Sequence, residues 1–115
     1  MAENTREVAH IGKSVVIKGE LSGSEDLYLD GEVEGSIELK QNAVTIGPNG
    51  RVKAKINAKS VVVDGKVNGN VVGSDRVELR GSSAVTGDIV TKRIVIAEGA
   101  FFKGSVKQES EPAAS

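Results

Sequence analysis

The chain of 115 residues contains no cysteine and no tryptophan, one tyrosine, two phenylalanines, one histidine and two prolines. Without cysteine there is no thiolate nucleophile, no disulfide framework and no Cys-ligated metal. The single histidine, His10, reads as a solvated side chain near the start rather than as a general base. No dinucleotide fingerprint, phosphate-binding loop, HExxH or GxSxG pattern is present. Repeated Asp-Gly pairs such as Asp30-Gly31 and Asp64-Gly65 are explained by turn chemistry, and the nonapeptide Gly-Asp pattern of calcium-binding solenoids is absent. The reading assigns no catalytic residue, no cofactor and no metal ligand. Four threonines are too few for a regular ice-binding array.

Long apolar runs are missing too. The stretch Ile94-Val95-Ile96-Ala97 is among the longest, far short of the roughly 20 residues a bilayer-spanning helix needs. Residues 1–8 are polar and lack the apolar centre of a signal peptide, so a cytoplasmic location is expected. A net charge of −1 gives no overall attraction to nucleic acid.

What the chain does have is valine, isoleucine and glycine. There are 17 Val and 8 Ile against 5 Leu, with 14 Gly. β-Branched side chains lose rotamer freedom in a helix and pack well on a pleated surface. The skew therefore predicts an all-β protein whose core contains almost nothing large.

These residues fall into an internal repeat. Segments starting at 9, 27, 44, 61, 77 and 94 superimpose with spacings of 18, 17, 17, 16 and 17 residues. Five columns emerge. The first is Ala9, Leu27, Val44, Val61, Val77, Ile94, and the second is Ile11, Leu29, Ile46, Val63, Leu79, Ile96. The third is Ile17, Val33, Val52, Val67, Val85, Phe102. A column of small residues follows, Gly19, Gly35, Ala54, Gly69, Gly87, Gly104, and then Leu21, Ile37, Ile56, Val71, Ile89, Val106. Within each repeat the apolar positions lie two apart, the strand period. A strand-only repeat of this length is too short for a propeller blade and fits one coil of a three-sided β-solenoid. The prediction is a parallel β-helix of about six coils over residues 9–106, with short disordered tails at 1–8 and 107–115. The small-residue column marks a corner where a side chain would collide.

Charge is segregated along the chain. Residues 20–38 hold seven acidic side chains and no basic one, and residues 40–59 hold five basic and no acidic. Stacking Val33 on Val52 sets Glu32 beside Arg51 and Glu34 beside Lys53, so a cross-strand ladder is favoured over a nucleic-acid patch, which would want stacking aromatics.

A solenoid buries its core only between neighbouring coils, and open ends template further pairing. No amphipathic cap precedes Ala9 or follows Val106. Both phenylalanines, Phe101 and Phe102, fall in the last coil, and Phe102 lies in an inward column. This predicts end-to-end assembly through Ile94, Ile96, Phe101, Phe102 and Val106 at one end and Ile11, Ile17 and Leu21 at the other.

The segment 11–106 resembles the bactofilins, bacterial polymer-forming cytoskeletal proteins. The resemblance is carried by Ile11-Gly12-Lys13-Ser14, Ile17-Lys18-Gly19-Glu20-Leu21, 29–37 and Gly99-Ala100-Phe101-Phe102-Lys103-Gly104. It implies a right-handed β-helix that polymerises without nucleotide into non-polar filaments, head to head and tail to tail, with Phe102 the best match to an assembly phenylalanine and Phe101 the second choice. It also implies a cytoplasmic scaffold for cell shape that recruits cell-wall enzymes at the inner face of the membrane. The polar start departs from the apolar membrane-binding N-terminus of many members, so direct membrane binding is not expected. The rival reading is a β-helix enzyme or small-molecule binder like the hexapeptide acyltransferases. The irregular 16–18-residue period and the lone His10 count against it.

Overall fold

The computed structural model describes residues 8–108. These residues form nine strands and no helix: β1 (Val8–Ile11), β2 (Val16–Ser22), β3 (Asp26–Leu29), β4 (Glu32–Ile46), β5 (Arg51–Val63), β6 (Lys66–Leu79), β7 (Ala84–Thr91), β8 (Ile94–Ile96) and β9 (Phe101–Gln108). Every pairing is parallel and joins each coil to the next, giving a β-solenoid of about six turns. The expected tails at 1–8 and 107–115 lie almost wholly outside the described residues. The strands reach slightly past the expected 9–106, because Val8 pairs with Asp26 and Lys107 and Gln108 continue the ladder against Val90 and Thr91.

Three faces wind around the axis. The first carries 9–11, 27–29, 44–46, 61–63, 77–79 and 94–96. The second carries 16–18, 32–34, 51–53, 66–68, 84–86 and 101–103. The third carries 20–22, 36–39, 55–58, 70–73, 88–91 and 105–108. All five columns read from the sequence are cross-strand partners, residue for residue. The register holds because a slip of one residue would turn every apolar side chain out to solvent. Nineteen apolar residues are buried, and Leu29, Val33, Ile37, Ile46, Val63, Leu79 and Ile89 are wholly inaccessible.

The structure adds a sixth inward column. Leu39, Ala58, Gly73 and Thr91 stack where the third face turns toward the first, and all are buried. Their chemistry differs from coil to coil, so no recurring residue type marks them. Thr91 is tolerated inside because its hydroxyl donates to the Arg93 carbonyl at 3.1 Å.

The small-residue corner is steric. Gly35, Gly69, Gly87 and Gly104 take φ between +135° and +142°. A Cβ on Gly87 would lie 1.8 Å from the Gly69 carbonyl oxygen, and one on Gly104 1.8 Å from that of Gly87. Ala54 occupies the same column without a positive φ and keeps its methyl buried.

At the corner between the first and second faces, hydrogen bonds all point one way. Asp30, Gly47, Asp64, Arg80 and Ala97 donate their N–H groups to Ile11, Leu29, Ile46, Val63 and Leu79 of the preceding coil at 2.7–2.9 Å. Aspartates add to this polarity. Asp30 Oδ1 accepts from the Asn49 N–H at 3.1 Å, and Asp64 Oδ1 from Ser82 Oγ at 2.7 Å. Asp26 accepts from the Ala43 N–H, Asp75 from Arg93 and Asp88 from Ser105. Each carboxylate thus clasps the coil that follows it, a longer reach than the local turn role expected for Asp30 and Asp64.

Candidate assembly surfaces at the two ends

Each end coil has a single neighbouring coil. β1 and β2 pair only with β3 and β4, and β8 and β9 only with β6 and β7. Among the described residues nothing covers the outer edge of either. The consequence appears within single columns. In the second, Leu29, Ile46, Val63 and Leu79 are 0% exposed while Ile96 is 50% exposed. In the fifth, Ile37, Ile56 and Ile89 are wholly buried and Val106 is 38% exposed.

The first end presents Ile11, Ile17 and Leu21, all half-buried and packed on one side against the core. Val15 and Val16 stand exposed at its rim. Gly19 keeps φ +127°, yet a Cβ there would meet nothing within 4 Å, because no coil lies beyond it. The terminal coil is therefore shaped like an interior one.

The other end presents Ile94, Ile96, Phe102 and Val106. Phe102 stacks in register on Val85, and it and Ile94 are half-buried against the core. Phe101 is placed differently from the other expected residues of this end. It pairs with Ala84, points outward from the second face and is 56% exposed. Alternation along a strand forces this, since Phe101 and Phe102 cannot share a side. His10 is exposed, with its ring edge-on to Tyr28 at 5.0 Å.

The expected charge ladder is present as register only. Glu32 opposes Arg51 and Glu34 opposes Lys53. Ion pairs that do close, Arg76–Glu78, Arg80–Glu78 at 3.5 Å and Arg93–Asp75 at 2.9 Å, lie elsewhere. No helix among the described residues is long and apolar enough to cross a membrane.

A parallel β-solenoid with its apolar cross-section open at both ends belongs to the class of repeat modules that bury their core by stacking. Comparison with known proteins narrows the class. Residues 9–107 match the family model for bactofilin, described as polymer-forming cytoskeletal. The chain belongs to the bactofilin family. It is 48% identical over 99 residues to bactofilin BacO of Myxococcus xanthus, covering 86% of this chain and 78% of that protein. It is 40% identical over 96 residues to bactofilin BacP of the same organism, covering 84% of this chain but only 40% of BacP. Among solved structures, the cytoskeletal bactofilin BacA, determined by solid-state NMR, matches with a TM-score of 0.80 at 30% identity, over 90% of this chain and 98% of that one. Membership assigns the chain a cytoskeletal role, and a polymer-forming family implies self-association.

Proposed function

We propose that this chain is a cytoplasmic scaffold that polymerises end to end, without nucleotide, into non-polar filaments, and that these organise cell shape or hold cell-wall enzymes at the inner face of the membrane. The observation that carries the reading is the change in exposure along single columns, from 0% at Leu79 to 50% at Ile96. A further coil on that end would bury Ile96, Phe102 and Val106 as the interior coils bury their equivalents, at about 25 cal/mol for each Å² removed from water. The one-way corner hydrogen bonds bear on polarity. At that corner the first coil is left with N–H donors and the last with carbonyl acceptors, so a joint between like ends cannot continue those corner bonds. Apolar side chains then carry the contact at that corner's flanks, and Phe102 is the largest of these at its end.

The test is electron microscopy of purified protein without nucleotide, with circular dichroism to monitor the fold. Wild type should form filaments. Phe102→Arg should remain folded β protein and form none, because an ion in a desolvated joint has no partner. Phe101→Arg, outside the cross-section, should still assemble. Normal filaments from Phe102→Arg would refute the interface. Polarity is read separately: Lys103→Cys gives a single thiol near one end, and disulfide-linked pairs should form in filaments only where like ends meet.

A further inference from the structure

The second face changes character along the axis. Its outward residues are Glu32 and Glu34 in the second coil, with Lys18 beyond them in the first. From the third coil onward none is acidic. The third coil carries Arg51 and Lys53, and the fourth Lys66 and Asn68. Ala84 and Thr86 follow in the fifth, and Phe101 and Lys103 in the last. Arg51, Lys53, Lys66 and Lys103 are exposed, and among the described residues none of them closes an ion pair, although Glu32 lies in register with Arg51. Arg51 stands directly opposite Lys66, a like-charge cross-strand pair that weakens the sheet. A shallow groove of about 230 Å³ runs between the two outward rows, from Arg51 and Lys53 to Ala84 and Thr86. Phe101 stands one coil past its end, 56% exposed and outside the end cross-section. The groove thus has uncompensated cations at one end and an apolar contact at the other.

We propose that this groove binds an extended acidic segment of a partner protein, with carboxylates on Arg51, Lys53 and Lys66 and an apolar side chain on Ala84 and Phe101. The site lies within one copy, so it stands whether or not copies join end to end. Spacing defines the segment. The steps from the third coil to the last add up to about 14 Å at about 4.8 Å each, which an extended chain crosses in about four residues. Charge defines its direction. Glu32 and Glu34 lie one coil beyond Arg51 and Lys53 and repel a carboxylate carried past them. The acidic end therefore faces the second coil and the apolar end faces the last.

A peptide is favoured over other polyanions. A membrane surface is a plane, and one that reached Arg51 and Lys53 would also meet Glu32 and Glu34 about 4.8 Å away. Single-stranded nucleic acid gains from stacking successive bases on aromatic rings, and this groove offers Phe101 alone. A segment one residue wide covers the cationic coils and stops short of the acidic one. The contact is small, roughly 250 Å² for four coils two outward residues wide, against about 800 Å² per partner in a standard stable interface. Each site therefore binds weakly, and a partner displaying several such segments holds by avidity.

The experiment is fluorescence anisotropy of the full chain with a labelled peptide, EEESGSF, whose last glutamate precedes its phenylalanine by about four residues. Wild type should bind it. R51Q/K66Q should weaken binding about five- to tenfold, the loss of two exposed charge contacts. K13Q/K18Q removes the same charge from the first coil and should bind like wild type. F101S should weaken binding about threefold, as should EEESGSA on wild type. F101S with EEESGSA should lose no more than either change alone, because both remove one contact. R51E/K66E should take KKKSGSF more tightly than wild type does, which a misfolded variant would not do. The proposal is overturned if EEESGSF does not bind, if R51Q/K66Q and K13Q/K18Q lose equally, or if the F101S and EEESGSA losses add. Phosphatidylglycerol vesicles or oligothymidylate held through Arg51 and Lys66 more tightly than the peptide would give the groove to that class of ligand and overturn it as well.

Discussion

The middle coils and the end coils are built from one pattern and end in different states. Ile46 in the third coil, Val63 in the fourth and Ile96 in the last occupy one inward column, yet the first two are 0% exposed and the last is 50% exposed. Side-chain chemistry is the same, and the difference lies wholly in the number of neighbouring coils. Burial in this fold is a property of stacking rather than of sequence at one site. A thin aliphatic core is sufficient in the middle and insufficient at the ends, and the shortfall is what a second subunit would supply.

The sharpest way to break the comparison is at the glycine corner. Gly87→Ala puts a methyl 1.8 Å from the Gly69 carbonyl in a residue with φ +138°. Gly19→Ala meets no atom within 4 Å and bears only its φ of +127°. The left-handed backbone alone costs about 1–3 kcal/mol, and the collision in the middle adds to it. Gly87→Ala should therefore lose most of the fold's stability, on the order of 4 kcal/mol or more. Gly19→Ala should remain folded and lose about 1–3 kcal/mol. Urea titration monitored by circular dichroism separates them, and equal losses would remove the steric account of the column.

Much of this was legible in the sequence. The apolar residues recur at period two inside a repeat of 16–18 residues, so the five columns could be aligned by residue alone, and the register reproduces each pair. Phe102 could be placed at an end because it falls in an inward column of the last coil. The sixth column escaped because Leu39, Ala58, Gly73 and Thr91 share no chemistry and are defined only by where the chain turns. Phe101 could not be assigned its outward side from proximity to Phe102, though strand alternation carried that information. The aspartate clasps were hidden because their partners lie 16–19 residues away: Asn49 for Asp30, Ser82 for Asp64, Ser105 for Asp88. A local motif reading sees only the Asp-Gly turn. Charge proximity likewise promised ion pairs at Glu32 and Glu34 that side-chain geometry leaves open.

Truncating one aliphatic column tests burial directly. Ile46→Ala deletes a side chain wholly buried between two coils and should cost about 2–5 kcal/mol. Ile96→Ala, half exposed, should cost less than about 1 kcal/mol in the unassembled chain. Measured in the Phe102→Arg background, which isolates the monomer, the two values should differ several-fold. In assembled protein the Ile96→Ala penalty should rise, because the joint then buries that side chain. Equal penalties in monomer and polymer would mean that Ile96 lies outside the contact.

The smallest effect concerns the aspartate clasps, and it distinguishes the ends from the middle by locality rather than by size. Asp64 Oδ1 accepts from Ser82 Oγ at 2.7 Å, joining the fourth coil to the fifth, and Asp88 Oδ1 accepts from Ser105 Oγ at 2.7 Å, joining the fifth to the last. Both pairs are exposed, so each hydrogen bond is worth about 0.5–1.5 kcal/mol. Removing Asp64 should register in global stability, since coils on both sides must separate together. Removing Asp88 should leave the unfolding midpoint nearly unchanged and free the last coil alone, which has no neighbour beyond it. Amide hydrogen exchange in the monomer should then show faster exchange in β9 of Asp88→Ala, with β5 and β6 protected as in the parent. In filaments the same substitution should lose its effect, because a joint at that end restores the missing neighbour.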